Sequence, residues 1–276
     1  MSELRPPHIV SPDRLLLTVL GSGTSMGVPT LGCHCAVCSS ADPHDNRTRP
    51  SILLSRHDGY ETHNVVIDTT PDFRFQALRA GIDRLDAVVF THAHADHILG
   101  FDDIRPYNMR QKMAMPVYAS DATIETLRGT FAYVFRPAPA GTTIPEVTLH
   151  AIHGPFELLG TTFTPIAAKH GPWQVFGFRV GRMAYLTDFS SLPDASKLLL
   201  GDLDDLILDA LRDDPHPMHQ TVEQAVALIR ELGPRRGWFT HVAHDLPHAA
   251  TNARLVAMGL PNVQLAYDGL RIEVRV

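Results

Sequence analysis

The stretch Thr91-His92-Ala93-His94-Ala95-Asp96-His97 constrains this chain more than any other. Four metal-competent side chains fall within six residues, directly after the apolar run Asp86-Ala87-Val88-Val89-Phe90. A short run rich in β-branched residues predicts a buried strand. His92 and His94 lie two apart, so extended backbone turns both imidazoles to one side. A helix starting at Asp96 and His97 turns both back toward the same spot. Neutral imidazole and carboxylate are ligands for Zn²⁺, Mn²⁺ or Fe²⁺. The alternative is a polar turn that happens to be His-rich. The density of ligands at the end of a buried strand argues against it.

The chain has 276 residues, 44% hydrophobic and 20% charged, which is ordinary for a soluble globular protein. One domain of this size buries roughly three quarters of its unfolded surface and needs no staples. The net charge of −6 argues against a general nucleic-acid or anionic-membrane surface. The longest apolar runs, such as Leu15 to Leu20, are far short of the ~20 residues that span a bilayer. Met1 to Arg14 has three prolines and no apolar core, so it is not read as a signal peptide. The expected location is the cytoplasm. Three cysteines within six positions are no disulfide framework and fit a reducing compartment.

Leu15 to Leu20 reads as the first core strand, followed by the loop Gly21-Ser22-Gly23-Thr24-Ser25-Met26-Gly27. That loop lacks the Lys-Ser/Thr of a P-loop and departs from the dinucleotide fingerprint. It is expected beside the active site, with its glycines admitting close backbone approach to a ligand. Cys33-His34-Cys35-Ala36-Val37-Cys38 comes next. Three thiols on one tight loop supply three legs of a tetrahedral zinc site. From spacing alone, His34, His44, His244 and His248 all remain candidates for the fourth. A redox pair would open a helix in a thioredoxin-like unit, and no such pattern surrounds this loop.

Ile52 to Ser55 and Asn64 to Ile67 read as paired strands, with Asp68 at the end of the second. Phe73 to Ala80 reads as a helix, capped by Asp72 and closed by Gly81. Arg105 reads as a surface salt-bridge residue, and Phe131 to Pro145 as a substrate-facing lip or a subunit contact. From Val147 to Leu186 strand follows strand, leaving His170 and Asp188 just past strand ends. His150 and His153 read as structural. Leu203 to Ala210 is a buried strand containing Asp209. His216 and His219 lie on a Pro-rich loop before a helix opened by the capping box Thr221 to Gln224. Histidines on such a loop are candidates for proton transfer, against the simpler reading of solvated loop residues. Trp238 to Thr240 is a strand running into His241. Val263 to Val276 reads as a hairpin-like pair around Asp268-Gly269.

The heptad, with Asp68 before it and His170, Asp188 and His241 after it, resembles the motif series of the metallo-β-lactamase-fold hydrolases. The motifs cover nearly the whole chain. They imply an α/β class αββα sandwich, two mixed β-sheets flanked by helices. Residues 1–276 would be one such domain, with a Cys-rich zinc loop at about 32–40. The resemblance implies one metal on His92, His94 and His170, and a second on Asp96, His97 and His241. Asp188 would bridge them, and Asp68 would support the site from behind. Gly21-x-Gly23, Cys33-x-Cys35-x-x-Cys38 and His241-x-x-His244 together look like the PhnP-type phosphoribosyl 1,2-cyclic phosphate phosphodiesterases. That likeness assigns a structural zinc to Cys33, Cys35, Cys38 and His244. It also implies a general acid at His219, or second at His216, and a homodimer.

The implied activity is hydrolysis of a small phosphodiester, with cyclic ribose phosphates in the implied class, by two divalent ions, Zn, Mn or Fe. Neither nucleic acid nor membrane is an expected partner. A PqqB-like cofactor-biosynthesis protein is the alternative, although in that group the H-x-H-x-D-H is degraded and here it is intact. Thioester and lactone hydrolases of this fold typically lack the Cys loop. A tRNA 3′-processing nuclease would want a basic RNA-binding arm. A zinc-bound protein with a vestigial site would tolerate loss of Asp188 and His241.

Overall fold

The computed structural model describes residues 14–137 and 139–276. Residues 1–13, most of the segment read above for a signal peptide, lie outside them. The first sheet contains β1 (Arg14–Gly21), β2 (Ser51–His57), β3 (Thr62–Ile67), β4 (Ala87–Val89), β5 (Met115–Ala119) and β6 (Val147–Ala151). The second contains β7 (Phe156–Leu158), β8 (Thr161–His170), β9 (Trp173–Val180), β10 (Met183–Leu186), β11 (Asp205–Asp209), β12 (Arg236–Thr240) and β13 (Val263–Leu265). β14 (Arg271–Arg275) returns to the first sheet beside β1. Among the described residues each sheet has seven strands, ordered β14-β1-β2-β3-β4-β5-β6 and β13-β12-β11-β10-β9-β8-β7. Both sheets are antiparallel up to β3 or β10 and parallel beyond.

The expected hairpin around Asp268-Gly269 is therefore not one. β13 pairs with β12 and β14 with β1, so the turn carries the chain from one sheet to the other. Turn chemistry marks a reversal but cannot say which neighbours its two arms find.

Alternation along the strands produces the layers. Leu15, Leu17, Val65, Ile67, Phe163, Phe178 and Ile207 meet between the sheets. Val66, Val88 and Phe90 face the other way, onto α1 (Phe73–Ala80), α2 (Ala95–Ile98), α3 (Arg105–Gln111) and α4 (Asp121–Thr130). Leu206 and Leu208 face α6 (Val222–Leu232) and α7 (His248–Ala257), while α5 (Asp194–Leu198) packs on β8. Parallel strands buried on both faces read as continuous apolar runs, which is why Ala87 to Phe90 was legible. No helix among the described residues is long and apolar enough to cross a membrane.

The predicted capping box opens α6: Thr221 Oγ1 accepts from Gln224 N and Gln224 Oε1 accepts from Thr221 N. Asp72 does not cap α1; its carboxylate takes Arg49 N at 3.0 Å and the Arg49 guanidinium at 3.0 Å. A charged partner outcompetes the helix amides for that carboxylate. Arg105 meets Asp102 at 3.3 Å, as its surface reading expects.

Arg47 is a fully buried cation among loops. Its guanidinium holds Asp45 at 2.8 Å and donates to the carbonyls of Ala243 (2.9 Å) and Leu246 (2.7 Å). It thereby fixes the loop that carries His244. Arg47→Met is expected to destabilise the protein by about 3–5 kcal/mol, because Asp45 and two carbonyls lose their partner in the interior. Denaturant unfolding reads this directly; an unchanged midpoint would show the bridge to be dispensable.

Candidate metal centre

The site residues stand at the carboxyl ends of strands, where open α/β sheets place their ligands. Asp68 follows β3, the heptad follows β4, His170 ends β8, Asp188 follows β10, Asp209 ends β11 and His241 follows β12. Asp68, Asp188 and His241 adopt left-handed φ of 67°, 53° and 59°. Such backbone costs a non-glycine residue of order 1–3 kcal/mol and persists only where surroundings dictate it. Here it swings each side chain off its strand and into the gap between the sheets.

The structure brings the predicted ligands into two groups. Ligand atoms of His92, His94 and His170 lie within 4.8 Å of one another, as do those of Asp96, His97, Asp188 and His241. Asp188 joins the two: its Oδ2 is 3.2 Å from His97 Nε2, its Oδ1 is 3.1 Å from His241 Nε2, and it also groups with His170. Several rings are held by Nδ1. His97 Nδ1 donates to Asp68 at 2.7 Å, and Asp68 also accepts from Thr91 N and Oγ1, both at 2.8 Å. His170 Nδ1 donates to the Met218 carbonyl at 2.9 Å, and His92 Nδ1 sits 3.0 Å from Thr91 Oγ1. Each contact directs the opposite nitrogen inward.

Those inward atoms test whether cations fit. His92 Nε2, His97 Nε2, His241 Nε2 and Asp96 Oδ2 are buried and have no hydrogen-bond partner among the described residues. Unpartnered buried polar atoms are rare and need a reason, and a His/Asp donor set suits a divalent cation. Protonation agrees. Burial pushes His92 well below its usual value and His170 down to about 4, leaving neutral imidazoles fit to ligate. Burial also acts on His241, but the Asp188 carboxylate more than reverses it and raises the ring to about 10. The negative charge that keeps a proton on that ring would hold a divalent cation in its place, with proton release.

The cysteine loop finds its fourth member. His244 Nδ1 lies 3.2, 3.4 and 3.4 Å from the sulfurs of Cys33, Cys35 and Cys38, and the four ligand atoms fall within 4.8 Å. His34 is exposed, while His44 and His248 pack with Tyr267. The glycine loop does lie next to the site, since Gly23 bridges to Val242. Two of its glycines are required by packing. A Cβ at Gly21 would sit 1.9 Å from the Arg49 carbonyl oxygen, and one at Gly23 2.7 Å from that of Arg47.

His219 Nδ1 donates to Asp209 Oδ2 at 2.7 Å, and its ring stacks on His241 with centroids 4.6 Å apart. His216 lies 5.0 Å from His219 by ring centroid, but its Nδ1 accepts from Met218 N and no carboxylate among the described residues bonds to it. Two residues at the site had no role in the sequence reading. Asp209 was seen only as part of a buried strand, although it sits past apolar residues as Asp68 and Asp188 do. Trp173, one turn beyond His170, is 55% exposed and perpendicular to His94 at 5.3 Å.

Residues 63–242 match the family model described as the beta-lactamase superfamily domain. The chain is 50% identical to a diphosphatase from the PhnP family of known crystal structure, covering 94% of this chain and 97% of that one with a TM-score of 0.86. It is 39% identical to an octanoyltransferase of Porphyromonas gingivalis over 91% of its own length. The chain spans about half (50%) of that relative. Zinc-bound PqqB from Methylobacterium extorquens shares the fold at 18% identity, covering 93% of this chain and 99% of that one (TM-score 0.76). The chain belongs to the beta-lactamase superfamily and has the metallo-β-lactamase fold.

Proposed function

We propose that the protein is a two-metal hydrolase of small phosphodiesters. His92, His94 and His170 would hold one cation, Asp96, His97 and His241 the other, and Asp188 both. Bound there, two cations supply a water activated at neutral pH and positive charge against the phosphoryl oxygens. The chain's own part is orientation and proton transfer. Asp68 fixes the His97 ring, the Met218 carbonyl fixes His170, and Asp209 fixes His219. As the P–O bond to the leaving group breaks, His219 Nε2–H protonates the departing alkoxide and Asp209 stabilises the imidazolium.

The Asp209–His219 pair is the observation that carries this reading. A thiolate leaves a thioester without a proton, whereas an alkoxide of high basicity does not leave a phosphodiester so readily. A buried carboxylate holding an imidazole beside the ligand cluster answers that need. The diphosphatase neighbour favours a second reading, hydrolysis of a phosphoanhydride, whose phosphate leaving group needs less help. Comparing an alkyl phosphodiester with a dialkyl diphosphate under saturating Zn²⁺ or Mn²⁺ separates them. Higher kcat/KM on the diester supports the proposal, and turnover of the diphosphate alone overturns it.

Cys33, Cys35, Cys38 and His244 are proposed to hold one zinc that ties the N-terminal loop to the segment bearing His241. The rings of His241 and His244 belong to one post-strand loop, so the zinc would stabilise the site from a distance. Cys33→Ser is expected to remove one metal equivalent and lower Tm on the order of 10 °C. Metal analysis with calorimetry checks both; full metal content in the variant would refute the assignment.

A further inference from the structure

The chain has two tryptophans, and they are placed differently. Trp238 is 8% exposed and donates to Asp205. Trp173 is 55% exposed at the rim of the metal centre. Its position is tightly set. It pairs with His170 across the Gly171-Pro172 turn, Gly171 has φ of +57°, and Met218 Sδ packs where a Cβ would stand. The indole is perpendicular to His94 at 5.3 Å and tilted to His170 at 6.3 Å. A rigid hairpin thus presents a large open π-surface next to two residues of one ligand group. An aromatic face held open beside a ligand group is a surface on which a planar ring can stack.

Resting on the phosphohydrolase reading above, we infer that Trp173 is a stacking platform for the planar ring of a nucleoside-type phosphoester. The phosphoryl group would sit over the metal ligands and the base on the indole. Stacking on an aromatic side chain accepts any base, because every base has a π-face. The platform therefore selects for the presence of a ring, with no choice among bases.

The test compares two probes that differ only by the ring, AMP and ribose 5-phosphate. Both are titrated calorimetrically into the metal-loaded protein and used as inhibitors of bis(p-nitrophenyl) phosphate turnover. AMP is expected to bind roughly five- to a hundredfold more tightly than ribose 5-phosphate. Trp173→Ala should erase that preference, and Trp173→Phe should keep most of it. Equal affinities in the wild type, or no binding of AMP at millimolar concentration, would overturn the inference. So would a preference that survives Trp173→Ala, or equal weakening of both probes, which would mean that Trp173 merely steadies His94. Calorimetry needs no turnover, so failure of the phosphohydrolase reading is distinguishable from failure of the platform.

Discussion

Asp188→Ala is expected to lower hydrolysis by at least about 10³-fold, because two cations supply several kcal/mol of charge stabilisation and each 1.36 kcal/mol is tenfold. The residue is buried, at 2% exposure, and its two oxygens face His97 and His241 at 3.2 and 3.1 Å. It is the carboxylate that joins the two ligand groups. Its own carboxyl sits well below the usual range; burial opposes this, but the His241 and His97 rings beside it overcome the effect. Removing it thus takes away charge that both groups need. Mass-spectrometric metal analysis should find the cysteine-bound zinc retained and the catalytic cations lost. A variant with full metal content and near-wild-type rate would show that Asp188 bridges nothing.

His219→Ala should show a different signature, a loss that depends on the leaving group. General acid catalysis contributes roughly 10²–10⁴-fold, and it does so where the leaving oxygen is basic. An alkyl phosphodiester should lose that much, and a p-nitrophenyl ester far less. Asp209→Asn should move in the same direction by a smaller factor, since the amide can still meet His219 Nδ1 but cannot stabilise the imidazolium. Equal losses on both esters would make His219 a structural residue.

The grouping of these side chains was legible because each sits at the same topological place. His92 to His97, His170, Asp188 and His241 all follow strand ends, and apolar runs announce strand ends. The cysteine loop was legible because three thiols at C-x-C-x-x-C have few uses, although spacing alone left four histidines open. Asp209 was less visible. Its partner is ten residues away across a Pro-rich loop, and nothing local says that the loop folds back onto β11. Trp173 was invisible for the same reason: its meaning lies in His94, nearly eighty residues earlier. The hairpin reading of 263–276 failed because pairing is chosen by which sheet offers an edge. The cap reading of Asp72 failed because Arg49, distant in sequence, claims the carboxylate.

The most direct test is a metal titration of the metal-free protein, with turnover followed against bis(p-nitrophenyl) phosphate, a thioester and a lactone. The account predicts that phosphodiester turnover appears only as the cations beyond the cysteine-bound zinc are filled. Neither the thioester nor the lactone should be hydrolysed comparably. Fully loaded protein that leaves the phosphodiester intact while cleaving the thioester or the lactone would contradict it.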